Sequence, residues 1–472
     1  MYDKDALWNL VDDHRDRLIN LSDRIWEIPE LCYQEKLSVR EHAAELQYQG
    51  FQVTEGLSGI PTAVLGEAGE GGPLVAFLGE YDALPSLSQE AGIAEPQPVT
   101  EGGPGHGCGH NLLGAASMLA AIALKDWLAE NKLPGRVRYY GCPAEEGGAA
   151  KAFMVRAGAF EGVDAAISWH PWCFWQVKPP RALAVTSVEF YFTGRSAHSA
   201  ASPQLGRSAL DAVELMNVGV NYMREHMPSD ARVAYAMIDA GGTAPNVVQA
   251  FASVRYSIRA RDVPGMLEIV ERVRKIAEGA ALMTETATEM KLVTACSNFL
   301  GNDPLESAMH NILEQLGPPV FDEADAEFAR QIQATLSAQA VAASWRSIGL
   351  PSTGEPLADF TVPANAPRNP ELASTDVSDV SWVVPTVQAH APTYAIGTPF
   401  HTWQMVAQGK SAAAHKAMIQ VAKAMAATGA AVLTDPDLLR SAKADLEARV
   451  GTGGYVSPMP QDVQPPLKRR VS

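Results

Sequence analysis

Residues 72–85 read GPLVAFLGEYDALP. An unbroken apolar run, opened by Gly72 and Pro73 and closed by Glu80, Asp82 and Pro85, predicts a short strand running into a turn that carries two carboxylates. The same grammar returns in GRVRYYGCPAEEGG (135–148) and VDAAISWHP (163–171). Helical patterns lie around and between these stretches. ALWNLVDDHRDRLINLSDRIWEIP (6–29) repeats apolar residues every three or four positions and has Pro29 near its end. NLLGAASMLAAIALKDWLAENK (111–132) and GAAKAFMVRAGAF (148–160) read the same way. Strand and helix alternate, so the fold class is α/β: a mainly parallel sheet with helices on both faces.

Near residue 186 the pattern shifts. LAVTSVEFYFTGRSAHSA (183–200), ARVAYAMIDAGG (231–242) and ASVRYSIRARD (252–262) alternate polar and apolar residues, as half-buried strands do. Two helical stretches separate them, 206–226 and 264–282. This βαββα run predicts a small two-layer domain inserted at 186–297 between two parts of the larger domain, 1–185 and 298–472. LGPPVFDEADAEFARQIQATL (316–336) and residues 362–401 resume the larger domain. GKSAAAHKAMIQVAKAMAATGAAVL (409–433) predicts a last helix before a proline-rich tail.

The 472-residue length fits two or three folding units. With 47% hydrophobic and 19% charged residues the chain has ample core. Its net charge of −17 argues against nucleic acid or an anionic membrane as partner, though not against an acidic small molecule. The first residues lack the basic start and apolar core of a secretory signal. The longest apolar run, LLGAASMLAAIAL before Lys125, reads as too short to span a bilayer. Cys32, Cys108, Cys142, Cys173 and Cys296 are odd in number and form no CxxC pair, which predicts free thiols and a cytoplasmic location.

Ligands of open α/β sheets gather at the carboxyl ends of the strands. Glu80 and Asp82, Glu145 and Glu146, and His170 all fall there. GGPGHGCGHN (102–111) adds His106, Cys108 and His110 on a glycine-rich loop before a helix, and His401 follows far along the chain in IGTPFHTW. Each alone has a plain reading: a turn with surface histidines, a solvated acidic turn, a satisfied core histidine. Their shared place around one sheet is what makes them a site.

GEYDALP, GHGCGHN, PAEEGG, SWHP, GRSAHSA and APNVV together resemble, in order and spacing, the aminoacylase/carboxypeptidase family of co-catalytic metallohydrolases. The resemblance implies Cys108, His110, Glu146, His170 and His401 as ligands of two divalent ions. Thiolate, imidazole and carboxylate together suit Zn²⁺ or Mn²⁺, with Co²⁺ as a further option. Five protein ligands exceed what one catalytic zinc takes. It also implies Glu145 as general base and Asp82 as the carboxylate that orients a ligand imidazole. Glu80 stands where other branches of the family have a metal-binding histidine, and is read with His106 as lying outside the ligand set. His198 matches a residue that reaches across to the neighbouring protomer's site and steadies an oxyanion; its plain reading is a turn histidine. Asn246 is a candidate for the scissile carbonyl or a substrate carboxylate, against a turn-forming asparagine. Arg259, on a strand of the insert, is a candidate carboxylate fork, against a plain surface or salt-bridged arginine. Ala234 stands where relatives often carry histidine; its plain reading is an alanine packing the insert's core.

The expected activity is hydrolysis of an amide bond, releasing an amino acid such as glutamate from an aryl-acyl or acyl group. The expected assembly is a homodimer, or a heterodimer with a homologous chain, closed by the inserted dimerisation and lid domain. A dipeptidase or N-acyl-amino-acid deacylase is the alternative within the class. Outside it stand a non-catalytic partner in a hetero-oligomer, which an intact ligand set with Glu145 speaks against, and a redox or zinc-storage protein, which leaves the Glu pair and His198 unexplained.

Overall fold

A computed structural model describes residues 4–367 and 373–467. Its strands are β1 (Gln52–Glu55), β2 (Val64–Glu70), β3 (Leu74–Glu80), β4 (Gly135–Cys142), β5 (Ala165–Trp172), β6 (Gln176–Val177), β7 (Ala184–Thr193), β8 (Arg232–Asp239), β9 (Phe251–Ala260), β10 (Ala287–Cys296) and β11 (Thr386–Pro392). Seven form one sheet in the order β1-β2-β4-β3-β5-β11-β6. The middle four run parallel. Antiparallel β1, β2 and β6 extend the two edges.

The apolar run at 74–80 is β3, buried at all seven positions. Alternation splits its side chains between two cores. Val75 and Phe77 join the helices Lys4–Glu27, His110–Asn131 and Ala412–Thr434. Leu74, Ala76 and Leu78 join the helix Ala150–Arg156 and the core that continues into the second sheet. A strand buried on both faces cannot alternate polar and apolar residues, which is why it reads as one apolar run.

The helix His110–Asn131 corrects an expectation. Its thirteen-residue apolar run sits in a 22-residue helix whose length and composition match a membrane span, yet 83% of that window is buried inside the fold. Ala412–Thr434 is similar, with 72% buried. Both are helices of the protein's own core.

The second sheet is antiparallel throughout, in the order β10-β7-β9-β8, with the helices Ala209–Met223 and Val263–Thr284 on one face. The expected βαββα run is therefore βαββαβ. The added strand β10 pairs with β7 along nearly its whole length, and its first half alternates exposed and half-buried residues. Ala234 is exposed on β8, the edge strand, and packs no core. The chain after the last predicted helix is also more ordered than expected: a further helix, Pro436–Val450, follows before the prolines begin.

Candidate metal centre

The carboxyl ends of β3, β4 and β5 open toward one volume. The loop that ends in Cys108 enters it at Gly109, which is left-handed (φ 72°) and starts the helix at His110. A Cβ at Gly109 would lie 2.1 Å from the Tyr394 hydroxyl, so the loop packs there only as glycine. His106 turns away from the volume, its Nε2 3.0 Å from the Ile25 carbonyl.

Asp82 braces three pieces of chain. Its Oδ1 lies 2.9 Å from His110 Nδ1, while Oδ2 accepts the Glu146 N–H at 2.9 Å and the Cys32 thiol at 3.5 Å. Burial alone would raise the Asp82 carboxyl; His110, the Glu146 N–H and Lys151 hold it below its ordinary range. A neighbour fixed to Nδ1 leaves His110 Nε2 directed at the volume.

Three overlapping sets of donor atoms converge there, each within 4.8 Å: Cys108, His110 and His170; Cys108, Glu146 and His401; Glu80, His110 and Glu145. Cys108 Sγ is 3.5 Å from His170 Nε2, and His401 Nε2 is 3.3 Å from Glu146 Oε2. His401 reaches in from a left-handed residue (φ 58°) whose N–H donates to the Gly107 carbonyl at 2.9 Å. His110 Nε2 and Glu80 Oε2 face each other at 3.3 Å, and neither they nor Glu146 Oε1, all buried, make a hydrogen bond among the described residues. Thiol, imidazole and carboxylate donors gathered this closely, some of them buried without a hydrogen bond, fit a transition-metal cation and would be costly without one. So the five residues expected as ligands come together, His106 stays out, and Glu80 enters the cluster more closely than expected.

Glu145 follows Ala144, another left-handed residue (φ 55°). Its carboxyl is pushed well above the usual carboxylate range, by burial first and then by the charges of Glu80, Glu146 and Asp376. Two groups missed in the sequence support this corner. Glu35 Oε1, fully buried, accepts the N–H of both Tyr33 and Ala144 at 2.9 Å. Lys151, also fully buried, bridges Glu80 Oε1 at 2.7 Å and Asp376 Oδ1 at 2.6 Å. A lysine on the buried face of an apolar helix was the visible signal for Lys151.

The small sheet contributes differently. Arg259 on β9 is half-buried, its Nε has no hydrogen-bond partner among the described residues, and burial holds its guanidinium below its ordinary range against the opposing charge of Glu145. His198 and Asn246 lie together on exposed turns: His198 bridges Val247, and the Ser199 N–H donates to the Asn246 carbonyl at 3.0 Å. The His198 ring caps its own turn, Nδ1 accepting from the Ala200 and Ala201 N–H groups at 3.2 and 3.1 Å. Among the described residues, no hydrogen bond or ion pair joins either residue to the cluster.

Comparison with known proteins follows the same lines. Residues 76–362 match the model of peptidase family M20/M25/M40, a span that takes in the whole small sheet and β4, β5 and β6 of the large one. The chain is 46% identical to one of the two named subunits of the p-aminobenzoyl-glutamate hydrolase of Escherichia coli (strain K12), over 98% of this chain and 99% of that protein. It is 28% identical to the Xaa-Arg dipeptidase of Mus musculus, over 93% and 91%. Among solved structures it resembles a dinuclear metal-binding M20 peptidase from Bacillus subtilis, with a TM-score of 0.56 at 20% identity over 89% of this chain and 99% of that one. The strand-end cluster, the inserted antiparallel sheet and a relative nearly half identical from end to end agree: the chain belongs to peptidase family M20/M25/M40.

Proposed function

We propose that this chain is a divalent-metal-dependent amidohydrolase that releases glutamate from an aryl-acyl or acyl group. The observation that carries the reading is the convergence of Cys108, His110, Glu146, His170 and His401, with orphaned donors among them. Beside them stands Glu145, whose carboxyl takes part in no hydrogen bond among the described residues. The resemblance to a p-aminobenzoyl-glutamate hydrolase chain supports the substrate.

Cys108, His110, Glu146, His170 and His401 hold two ions of the Zn²⁺ or Mn²⁺ type. Divalent ions in such a site supply Lewis acidity toward the amide carbonyl and make water more acidic. Glu145 takes the proton of the attacking water and later gives it to the leaving nitrogen. Asp82 keeps His110 in one tautomer and fixes the backbone of Glu146. Lys151 offsets the charge of Glu80 and Asp376, so Glu145 is not surrounded by uncompensated carboxylates.

The insert completes the site. Leu215, Val218 and Tyr222 are exposed on the helix Ala209–Met223, and Tyr235, Met237 and Ile238 on edge strand β8. An apolar face beside an unpaired strand edge is suited to pairing with a second copy or a homologous chain. His198 then serves the neighbouring protomer, aimed at charge that develops only in the transition state. The E. coli relative is one of two named subunits of its hydrolase, which supports a homologous partner. Five free thiols support a cytoplasmic location.

The test is hydrolysis of p-aminobenzoyl-glutamate by the purified chain, alone and with a homologue of that hydrolase's other named subunit, with Zn²⁺ or Mn²⁺ added. Dipeptides ending in arginine and N-acetyl amino acids form the comparison panel. Cleavage of the aryl-glutamate above the panel supports the reading. Preference for arginine dipeptides, or no cleavage with metal bound, overturns it.

A further inference from the structure

Among the described residues Lys178 has no counter-charge within ion-pair distance. It follows β6 and continues that strand's pairing, its N–H donating to the Gln388 carbonyl at 2.8 Å. Gln176 stands opposite His390 in the register, and His390 opposite His170. Side chains two residues apart share a face, so Lys178 projects on the same face of the sheet as His170. Lys178 is only 9% exposed. Among the described residues its ammonium makes no ion pair and no hydrogen bond.

It is also close to the cluster. Gln388, which Lys178 faces, lies opposite Ser168, two residues before His170 on β5. Gln176 Oε1 and Gln388 Oε1, on the same face, are buried without partners. Trp172 and Phe400, half-buried, stack at 4.7 Å over this corner, and Phe400 sets its edge against His170 at 5.6 Å. A cation sheltered this far from water without an anion is costly. Divalent ions on His170 would raise that cost, and an anionic ligand lowers it.

Arg259 presents the same deficit: it is half-buried, its Nε unpartnered, with no carboxylate within ion-pair distance among the described residues, and it stands opposite Val185, in turn opposite Cys296, at the end of the small sheet where the Thr294 hydroxyl donates to the Gly147 carbonyl of the Glu145 turn at 3.2 Å. Two unpaired cations therefore act on the cluster, one near His170 and one near Glu145. An amino acid with a neutral side chain offers one carboxylate and leaves one cation bare.

We propose that Lys178 binds the second carboxylate of the substrate, which makes the amino-acid half of the substrate dicarboxylic, with Arg259 taking the other carboxylate. This rests on the amidohydrolase reading above, and its test separates the two. Calorimetric titration of L-glutamate and L-glutamine into the full-length protein loaded with Zn²⁺ or Mn²⁺ needs no turnover. Glutamate is expected to bind about tenfold or more tighter than glutamine, the scale of one charge-assisted contact. Lys178→Met should erase that preference by weakening glutamate alone, and Lys178→Arg should keep it. Equal affinities in the wild type, binding of neither amino acid, or a Lys178→Met protein that loses both equally overturns the assignment. The wild-type comparison decides even if Lys178→Met does not fold. Turnover of N-acyl-glutamate and N-acyl-glutamine at equal rates sinks the role of Lys178 and leaves the hydrolase standing. Lys178-dependent glutamate binding without amide cleavage does the reverse.

Discussion

The carboxyl ends of the large sheet and the turns of the small sheet, proposed above as two parts of one site, are in opposite physical states. At the strand ends most functional groups are buried or half-buried, with His401 the exposed member, and several are held by another: His110 by Asp82, the Glu146 backbone by Asp82, Ala144 by Glu35, Glu80 by Lys151. On the small sheet, His198 and Asn246 are exposed and held only by their own turns. A buried cluster is fixed by the same packing that folds the protein, so its geometry is present before any ligand arrives. An exposed turn has no such support and acquires its partners when another surface closes on it. On the function proposed above, the chemistry belongs to the first part and the completion of the site to the second.

That contrast breaks most visibly at Glu145. Glu145→Gln should lower turnover by roughly 10²–10⁴-fold while the fold and the neighbouring groups stay in place. A variant with near wild-type turnover would remove the buried half's claim to the chemistry.

His198→Ala sharpens the other side. A turnover loss of roughly 10²-fold is expected, the size of one lost oxyanion donor, without loss of thermal stability, since an exposed turn contributes little to folding. Mixing His198→Ala with Glu145→Gln chains tests where the histidine acts. A hybrid dimer joins one intact Glu145 to an intact His198 from the other chain, so partial recovery of activity is expected on exchange of protomers. No recovery, with exchange verified by native mass spectrometry, places His198 in its own protomer's site or outside the reaction.

Lys151→Met measures how much the buried half depends on its bracing. The change strands Glu80 and Asp376 without their shared cation, and a loss of about 3–5 kcal/mol in denaturant unfolding is expected. A loss below about 1 kcal/mol would mean the triad is not what holds this corner.

The smallest effect concerns pH. Asp379 accepts the Ser297 N–H and hydroxyl at 3.1 and 3.0 Å and the Tyr455 hydroxyl at 2.7 Å, where the chain leaves β10. Burial lifts its carboxyl to about 7 despite those donors. The folded chain keeps a proton that the unfolded chain gives up near pH 4, so this group's contribution to stability falls as pH rises from about 4 to about 7 and is flat beyond. The slope from one such group is at most about 1.4 kcal/mol per pH unit. Asp379→Asn should flatten it in thermal melts, and an unchanged slope would assign it elsewhere.

The same contrast governs what could be read from the sequence. Strands β3, β4 and β5 announce themselves because burial on both faces requires apolar runs, and their last residues, Glu80, the Glu145–Glu146 turn and His170, are where chemistry was expected. The bracing was hidden because it is long-range: Lys151 meets Asp376 across 225 positions and Glu35 meets Ala144 across 109, and no local pattern encodes either pairing. β1 is four residues long with little apolar content, too little to read as a strand beside a helix. β10 did carry a signal, the alternation in ATEMKLVT, but the helix before it blurred where the insert ends. Exposure of His198 and Ala234 could not be read at all, since a strand's pattern does not say which sheet edge it occupies.

The central claim is that Cys108, His110, Glu146, His170 and His401 form a divalent-metal centre in which Glu145 moves protons and is not a ligand. Metal analysis by plasma mass spectrometry on reconstituted wild type, Glu145→Gln and Glu146→Gln tests it most directly. The account predicts about two ions per chain in the wild type and in Glu145→Gln, and a clear deficit in Glu146→Gln. A wild-type chain that retains no metal, or equal loss in the two variants, would contradict it.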